Sequence, residues 1–266
     1  MLNPDSSAQA AAWHALTRLG EAQILLPAML LAAGWLAWRG APRLALAWLG
    51  ASGLAAVITT ASKVAFLGYG IGWAALDFTG FSGHAMFAAA VLPLLLQLAA
   101  GRAGSGAPGG SVARARPRGP HNGLAAGFVL AGAVAVSRVM VGAHSWSEVV
   151  AGAALGAISS GVVLASHRMP AARLARWLPV ALVAWGLVAV AAAPPSTTHD
   201  LVTRLALAQS GRTQPYHRWE MQREYRLHQL RSDRLHLPNA DRTHPPGAGL
   251  APGLGAGPGA GSLQPR

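Results

Sequence analysis

Six stretches of the chain, 22–38, 44–61, 83–100, 123–141, 147–166 and 176–193, carry no charged side chain away from their ends. Each is near the length of about 20 apolar residues that a helix needs to cross the hydrocarbon of a bilayer. A backbone in hydrocarbon must satisfy its amides within its own segment, so runs of this kind are helices. The expected fold is therefore all-α: an integral membrane bundle of about six transmembrane helices. Composition agrees, because 52% of the chain is apolar and only 11% is charged, less than half of the roughly 25% typical of soluble domains. A soluble globular enzyme is excluded on that ground. Cysteine is absent, which removes disulfides, thiolate metal sites and cysteine nucleophiles.

The formal net charge of +12 comes from 20 arginines and one lysine spread over short connections and a tail. No basic helix with interleaved aromatics is present, so nucleic acid is not an expected partner. The charges instead orient the chain. Arg39 and Arg43 follow the first run, Arg102, Arg114, Arg116 and Arg118 the third, and Arg168, Arg173 and Arg176 the fifth. By the positive-inside rule these connections are cytoplasmic, and connections 62–82 and 142–146 lie on the outer face with both termini. The segment 1–21 (Asp5, His14, Arg18, Glu21) lacks the basic start of a cleaved leader and reads as an interfacial segment. Residues 22–193 then form the membrane domain. Residues 194–243 form an Arg/His-rich amphipathic tail with Leu201, Leu205 and Ala208 at helical spacing, expected on the membrane surface. Residues 244–266 are Gly, Pro and Ala, a composition with too little apolar side chain to offset ordering entropy, and are expected to be disordered.

Ionisable groups are costly inside a bilayer, so each one there is a candidate for function. Between residues 22 and 193 the only acids are Asp77 and Glu148, and the same outer side holds Lys63, Ser82, His84, Ser137, Arg138 and His144. Lys63 is the only lysine in a chain that otherwise uses arginine. A flexible ammonium suits a phosphate oxygen, and a snorkelling residue at a helix end is the plainer alternative. Ser82-Gly83-His84 stands directly before the third run, with Ser82 as an N-cap and the amides of Gly83 and His84 free to meet a phosphate. His84 could protonate a leaving oxygen there, or the segment could be capping alone beside a water-facing histidine. His144 and Glu148, four residues apart on a helix, share a face. A carboxylate on one ring nitrogen leaves the other as nucleophile or base. The same stretch, Ser145-Trp146-Ser147-Glu148, also spells a capping box in which Glu148 only bonds the Ser145 amide. Gly68-Tyr69-Gly70-Ile71-Gly72 lacks the Gly-Lys-Ser/Thr of a nucleotide loop. Gly152, Gly156 and Ser160 have the small-residue spacing that lets one span pack closely on another. No ligand spacing calls for a metal.

Together, Lys63, Ser82-Gly83-His84 and Ser137-Arg138 followed by His144 and Glu148 resemble the three-part signature of the type 2 phosphatidic acid phosphatase superfamily. The likeness covers roughly residues 62–152 and, through the span layout, 22–193. It implies that His144 is a nucleophile forming a phosphohistidine, that Glu148 orients it, and that His84 protonates the departing alcohol and then activates water. It implies further that Lys63, Ser82, the amide of Gly83 and Arg138 hold the phosphate oxygens, with no cofactor. The family places Arg-Pro seven and eight residues after its lysine, where this chain has Gly70 and Ile71. Phe81 stands for the family's Pro, and Glu148 for its Asp. The expected activity is metal-independent hydrolysis of a lipid phosphate monoester or diphosphate at the outer membrane face. A bacterial inner membrane is expected, with the site facing the periplasm. The alternative is a chain that has lost turnover with the first-motif arginine and binds lipid headgroups or a partner protein.

Overall fold

The computed structural model of the chain describes residues 4–100, 122–167, 184–185 and 198–236. Eight α-helices run through them: α1 (Pro4–Arg18), α2 (Ala22–Trp38), α3 (Pro42–Tyr69), α4 (Gly83–Ala100), α5 (Asn122–Met140), α6 (Trp146–Ser166), α7 (Thr198–Ser210) and α8 (Arg218–His236). One 3₁₀ turn, Ala74–Leu76, sits between α3 and α4. Among the described residues there is no strand, only an isolated bridge between Trp73 and Phe78. Five stretches are long and apolar enough to cross a membrane: Ser7–Trp38, Pro42–Tyr69, Gly83–Ala100, Asn122–Met140 and Trp146–Ser166. The protein is an all-α membrane protein. Of the sixth expected span only 184–185 are described; they are helical, and the Trp185 indole donates to the Ile24 carbonyl at 3.2 Å. The rest of that span, and the expected disorder of 244–266, lie outside the described residues.

α4 is the hub of the bundle. Its residues Ala85, Met86, Ala88, Ala90, Val91 and Leu94 are wholly buried, and α2, α3, α5 and α6 all pack on it. Small side chains on α4 and glycines on its neighbours allow this closeness. A methyl group at Gly152 of α6 would come within 2.5 Å of the Ser82 carbonyl oxygen, and one at Gly156 within 2.1 Å of the Met86 carbonyl oxygen. The small-residue stripe of the sequence is thus the seam between α6 and the start of α4. The buried Trp48 of α3 donates its indole N–H to the Ala90 carbonyl at 3.0 Å. On the opposite faces, Leu46, Leu54 and Val57 of α3, Val129 of α5 and Ile158 of α6 are exposed, the apolar belt that contact with lipid tails requires.

One boundary differs from expectation. The second apolar run stops at 61 in the sequence, yet α3 continues to Tyr69. Val64, Ala65, Phe66 and Leu67 keep the helix going past the charge of Lys63, which stands inside the helix and not in a connection. Gly70 ends it at φ 70°, a left-handed cap that favours glycine. In the tail, the helical spacing forms α7, with Leu201 and Leu205 exposed; Val202 and Ala206 are buried against Val64 of α3, where Gly68 lets the α7 backbone approach. The chain divides into two units, Met1–Tyr225 and Arg226–Arg266. The bundle, α7 and the first residues of α8 belong to the first; the described part of the second is the remainder of α8.

Candidate active site

At one end of the bundle the last two turns of α3, the loop 70–82, the start of α4, the end of α5 and the turn into α6 converge on a cavity of about 570 Å³. Five of the seven residues singled out in the sequence line it: Lys63, Gly83, His84, Arg138 and His144. The other two, Ser82 and Glu148, are fully buried behind the wall. Each is placed by local sequence. Ser82 directly precedes α4, and its carbonyl accepts from the Met86 amide at 3.0 Å, while its own amide donates to the Glu148 carbonyl at 3.1 Å. The Ser82 hydroxyl caps nothing; among the described residues it is buried without a hydrogen-bond partner. Arg138 lies in the last turn of α5, and the Gly142 turn (φ 69°) brings His144 back over it.

Glu148 is the most heavily bonded group of the site. One carboxylate oxygen, Oε2, accepts from His144 Nδ1 at 2.6 Å and from the Ser145 amide at 3.2 Å, while the Ser145 hydroxyl accepts from the Glu148 amide at 3.4 Å. The capping box and the histidine contact therefore coexist, made by the same oxygen. Oε1 accepts from the Thr79 amide at 2.8 Å and from the Thr79 hydroxyl. With Nδ1 donating to a carboxylate, the His144 lone pair is on Nε2. Burial pushes the imidazole below its ordinary pKa, opposed by the hydrogen bond to Glu148. His144 is accordingly neutral at physiological pH, the form in which Nε2 can attack or take a proton.

The cations of the cavity fall into two kinds. Among the described residues the ion pairs at this end involve Arg18, His144 and Arg218, and neither Lys63 nor Arg138 takes part in one. Arg138 donates to the Thr17 hydroxyl at 2.9 Å, and its Nε is buried with no hydrogen-bond partner among the described residues. Thr59 Oγ1, also on the lining, is buried without a partner as well. A buried donor left unmatched among the described residues calls for a ligand that accepts, and two cations without a direct ion pair favour an anion. Among the described residues no group of three or more His, Asp or Glu is placed to hold a metal ion.

Several lining residues escape a reading of the sequence. Gly20 and Glu21 come from the turn between α1 and α2, Thr79 from the loop before α4, and Thr198, His199 and Arg218 from the tail. Arg218 donates to both oxygens of Glu148, at 2.8 and 2.9 Å, and to the Asp77 carboxylate. Nothing in a tail with nine arginines marks this one out, though Asp77, the second of only two acids in 22–193, was a clue that a cation would come. The position where the resemblance expects an arginine has another occupant. A methyl group on Gly70 would lie 3.1 Å from the Tyr216 ring, which packs edge-on against Phe66 with centroids 5.9 Å apart.

Comparison with known proteins places the chain among relatives of one family. A family model described as the PAP2 superfamily matches residues 68–172, which include Ser82-Gly83-His84 and Arg138 through Glu148 but neither Lys63 nor the tail. An uncharacterized 22.5 kDa protein in the cps region of Klebsiella pneumoniae is 32% identical over 217 residues, covering 80% of this chain and 98% of its own. No solved structure matches.

Proposed function

The chain belongs to the PAP2 superfamily, and from that premise we propose that it hydrolyses a lipid phosphate monoester or diphosphate through a phosphohistidine. Nε2 of His144 attacks phosphorus, the bond to the leaving oxygen breaks, and His84 gives that oxygen a proton. His84 then takes a proton from water, whose oxygen displaces Nε2 and frees inorganic phosphate. Lys63 and Arg138, with the Gly83 amide and the Ser82 hydroxyl, hold the phosphoryl oxygens, where the charge of the transition state is spread. His144 supplies the nucleophile and the two cations the electrophilic assistance, so the scheme needs no metal.

The observation that carries the reading is one cavity holding both a histidine fixed on a buried carboxylate and two cations that, among the described residues, make no direct ion pair. A lipid substrate follows from position: a site at the ends of spans reaches a headgroup while the acyl chains stay in the bilayer. The arginines of the opposite connections support an outward site, in a bacterial inner membrane facing the periplasm. Inorganic phosphate release by detergent-purified protein from a panel of lipid phosphates, without divalent metal, tests it. Release that disappears in His144→Ala is expected; equal release from that variant sinks the phosphohistidine. Binding of the lipids with no release from any of them favours the degenerate reading, which rests on Gly70.

A further inference from the structure

Arg218 lies 70 residues beyond Glu148 in the chain and outside every motif of the site, yet it makes more contacts with the site's carboxylates than any other cation. Its Nη2 spans both oxygens of Glu148, a side chain with no solvent exposure, while Nη1 holds the carbonyl of Asp77 at 3.1 Å and its carboxylate. The segment that delivers it is seated by its own contacts. The Tyr216 amide donates to the Leu67 carbonyl at 2.8 Å, and the Gln222 amide group bonds the Ala74 carbonyl at 3.0 Å and Asp77 at 2.8 Å. Met221 is buried, and a methyl group on Gly72 would lie 2.8 Å from its sulfur. Among the described residues Lys63 and Arg138 make no direct ion pair with a carboxylate and line the cavity, whereas Arg218 is committed to Glu148 and Asp77. The two sets divide the labour between substrate and machinery.

We propose that Arg218 is a positioning residue, brought to the site by the tail, whose guanidinium holds the Glu148 carboxylate ionised and aimed at Nδ1 of His144. A buried carboxylate without a counter-charge is poorly tolerated. With Arg218 in place it draws less strongly on the His144 proton, so the imidazolium is less stabilised and the neutral nucleophile persists to lower pH. The other charged and titratable groups around the His144 ring are Lys63 on α3, His84 on α4, Arg138 on α5 and Glu148 on α6, with Glu21 and His199 across the cavity. All of them remain when Arg218 alone is changed. The assignment of a reaction step to this contact rests on the function proposed above; the contact itself does not.

The test is an NMR titration of the His144 imidazole in full-length, detergent-purified protein, its signal assigned by His144→Ala. In Arg218→Gln the midpoint is expected to rise by about one pH unit, as removal of a neighbouring opposite charge from an acid implies. The acid limb of phosphate release should rise with it and kcat should fall more than KM changes. Arg223→Gln, which removes an exposed charge from the same helix, should move neither. An unchanged midpoint overturns the proposal, and an unchanged midpoint with a raised KM would make Arg218 a phosphate ligand instead. Should Arg218→Gln not fold, Arg218→Met, which removes the charge and keeps an unbranched side chain, is read in the same way, and a midpoint equal to wild type overturns the proposal. The titration needs no substrate, so absence of phosphate release from the wild type would sink the hydrolysis reading and leave this one standing on the midpoint.

Discussion

The cavity has two walls made by different physics. On one side α4, α5 and α6 meet through glycine and alanine, backbone against backbone, with close packing that leaves side chains little choice of position. On the other, residues 198–225 of the tail are fixed by a small apolar contact at Val202 and Ala206 and by directional bonds from Tyr216, Arg218 and Gln222. The first wall carries His84, Arg138, His144 and Glu148, to which α3 adds Lys63; the second carries a cation for the carboxylate behind His144. Packing supplies rigidity on one side of the cavity, and polar contacts supply charge on the other.

Breaking the junction of the two walls should have the largest effect. Glu148→Gln keeps the shape but loses the charge that faces His144 and Arg218, and turnover is expected to fall about 10²- to 10⁴-fold, measured as phosphate release. If only the melting temperature drops, Glu148 serves the capping box and nothing more. Ending the chain after Thr197 removes the tail wall and leaves the bundle, with an expected loss of about 10²-fold in kcat from a misplaced carboxylate and helical circular dichroism of the bundle retained. Full activity in that truncation would make the tail wall irrelevant. Gly156→Ala disturbs the other wall: with the Met86 carbonyl in the way, it should cost about 1–3 kcal/mol of stability, read as a lower melting temperature with little change in turnover per folded molecule. The smallest effect is on pH. Because burial lowers the pKa of His144, activity should persist below the ordinary histidine value near 6.5 and fall only as the lowered pKa is crossed. The sign for stability is the same. The unfolded chain takes up the proton first as pH falls, so the folded form loses stability between the ordinary value and the lowered one. A rate already halved at pH 6.5 would contradict both.

What was legible in the sequence follows this division. Helices α2, α4, α5 and α6 stand within a residue of the runs 22–38, 83–100, 123–141 and 147–166, because apolar length and a charge at each end are what a bilayer selects. The motif residues were legible too, since ionisable groups are rare against an apolar background and each stands out. Lys63 shows the limit of that logic: its charge suggested an end to the span, but a helix can carry a lysine near a cavity without stopping. The tail wall was not legible for the opposite reason. Among its nine arginines and several histidines, the one that reaches the site is distinguished only by the tertiary position of Gly70, Tyr216 and Asp77. Periodicity finds walls made of packing, and it has nothing to say about a single long side chain crossing a gap.

Arg218 also makes distant backbone positions answerable for one carboxylate. The Tyr216 amide holds the Leu67 carbonyl at the end of α3, and Gln222 holds the Ala74 carbonyl in the loop, so the arginine hangs between two anchors. A shift of either anchor is passed along the tail segment to Glu148 without any change to the residues that touch it directly.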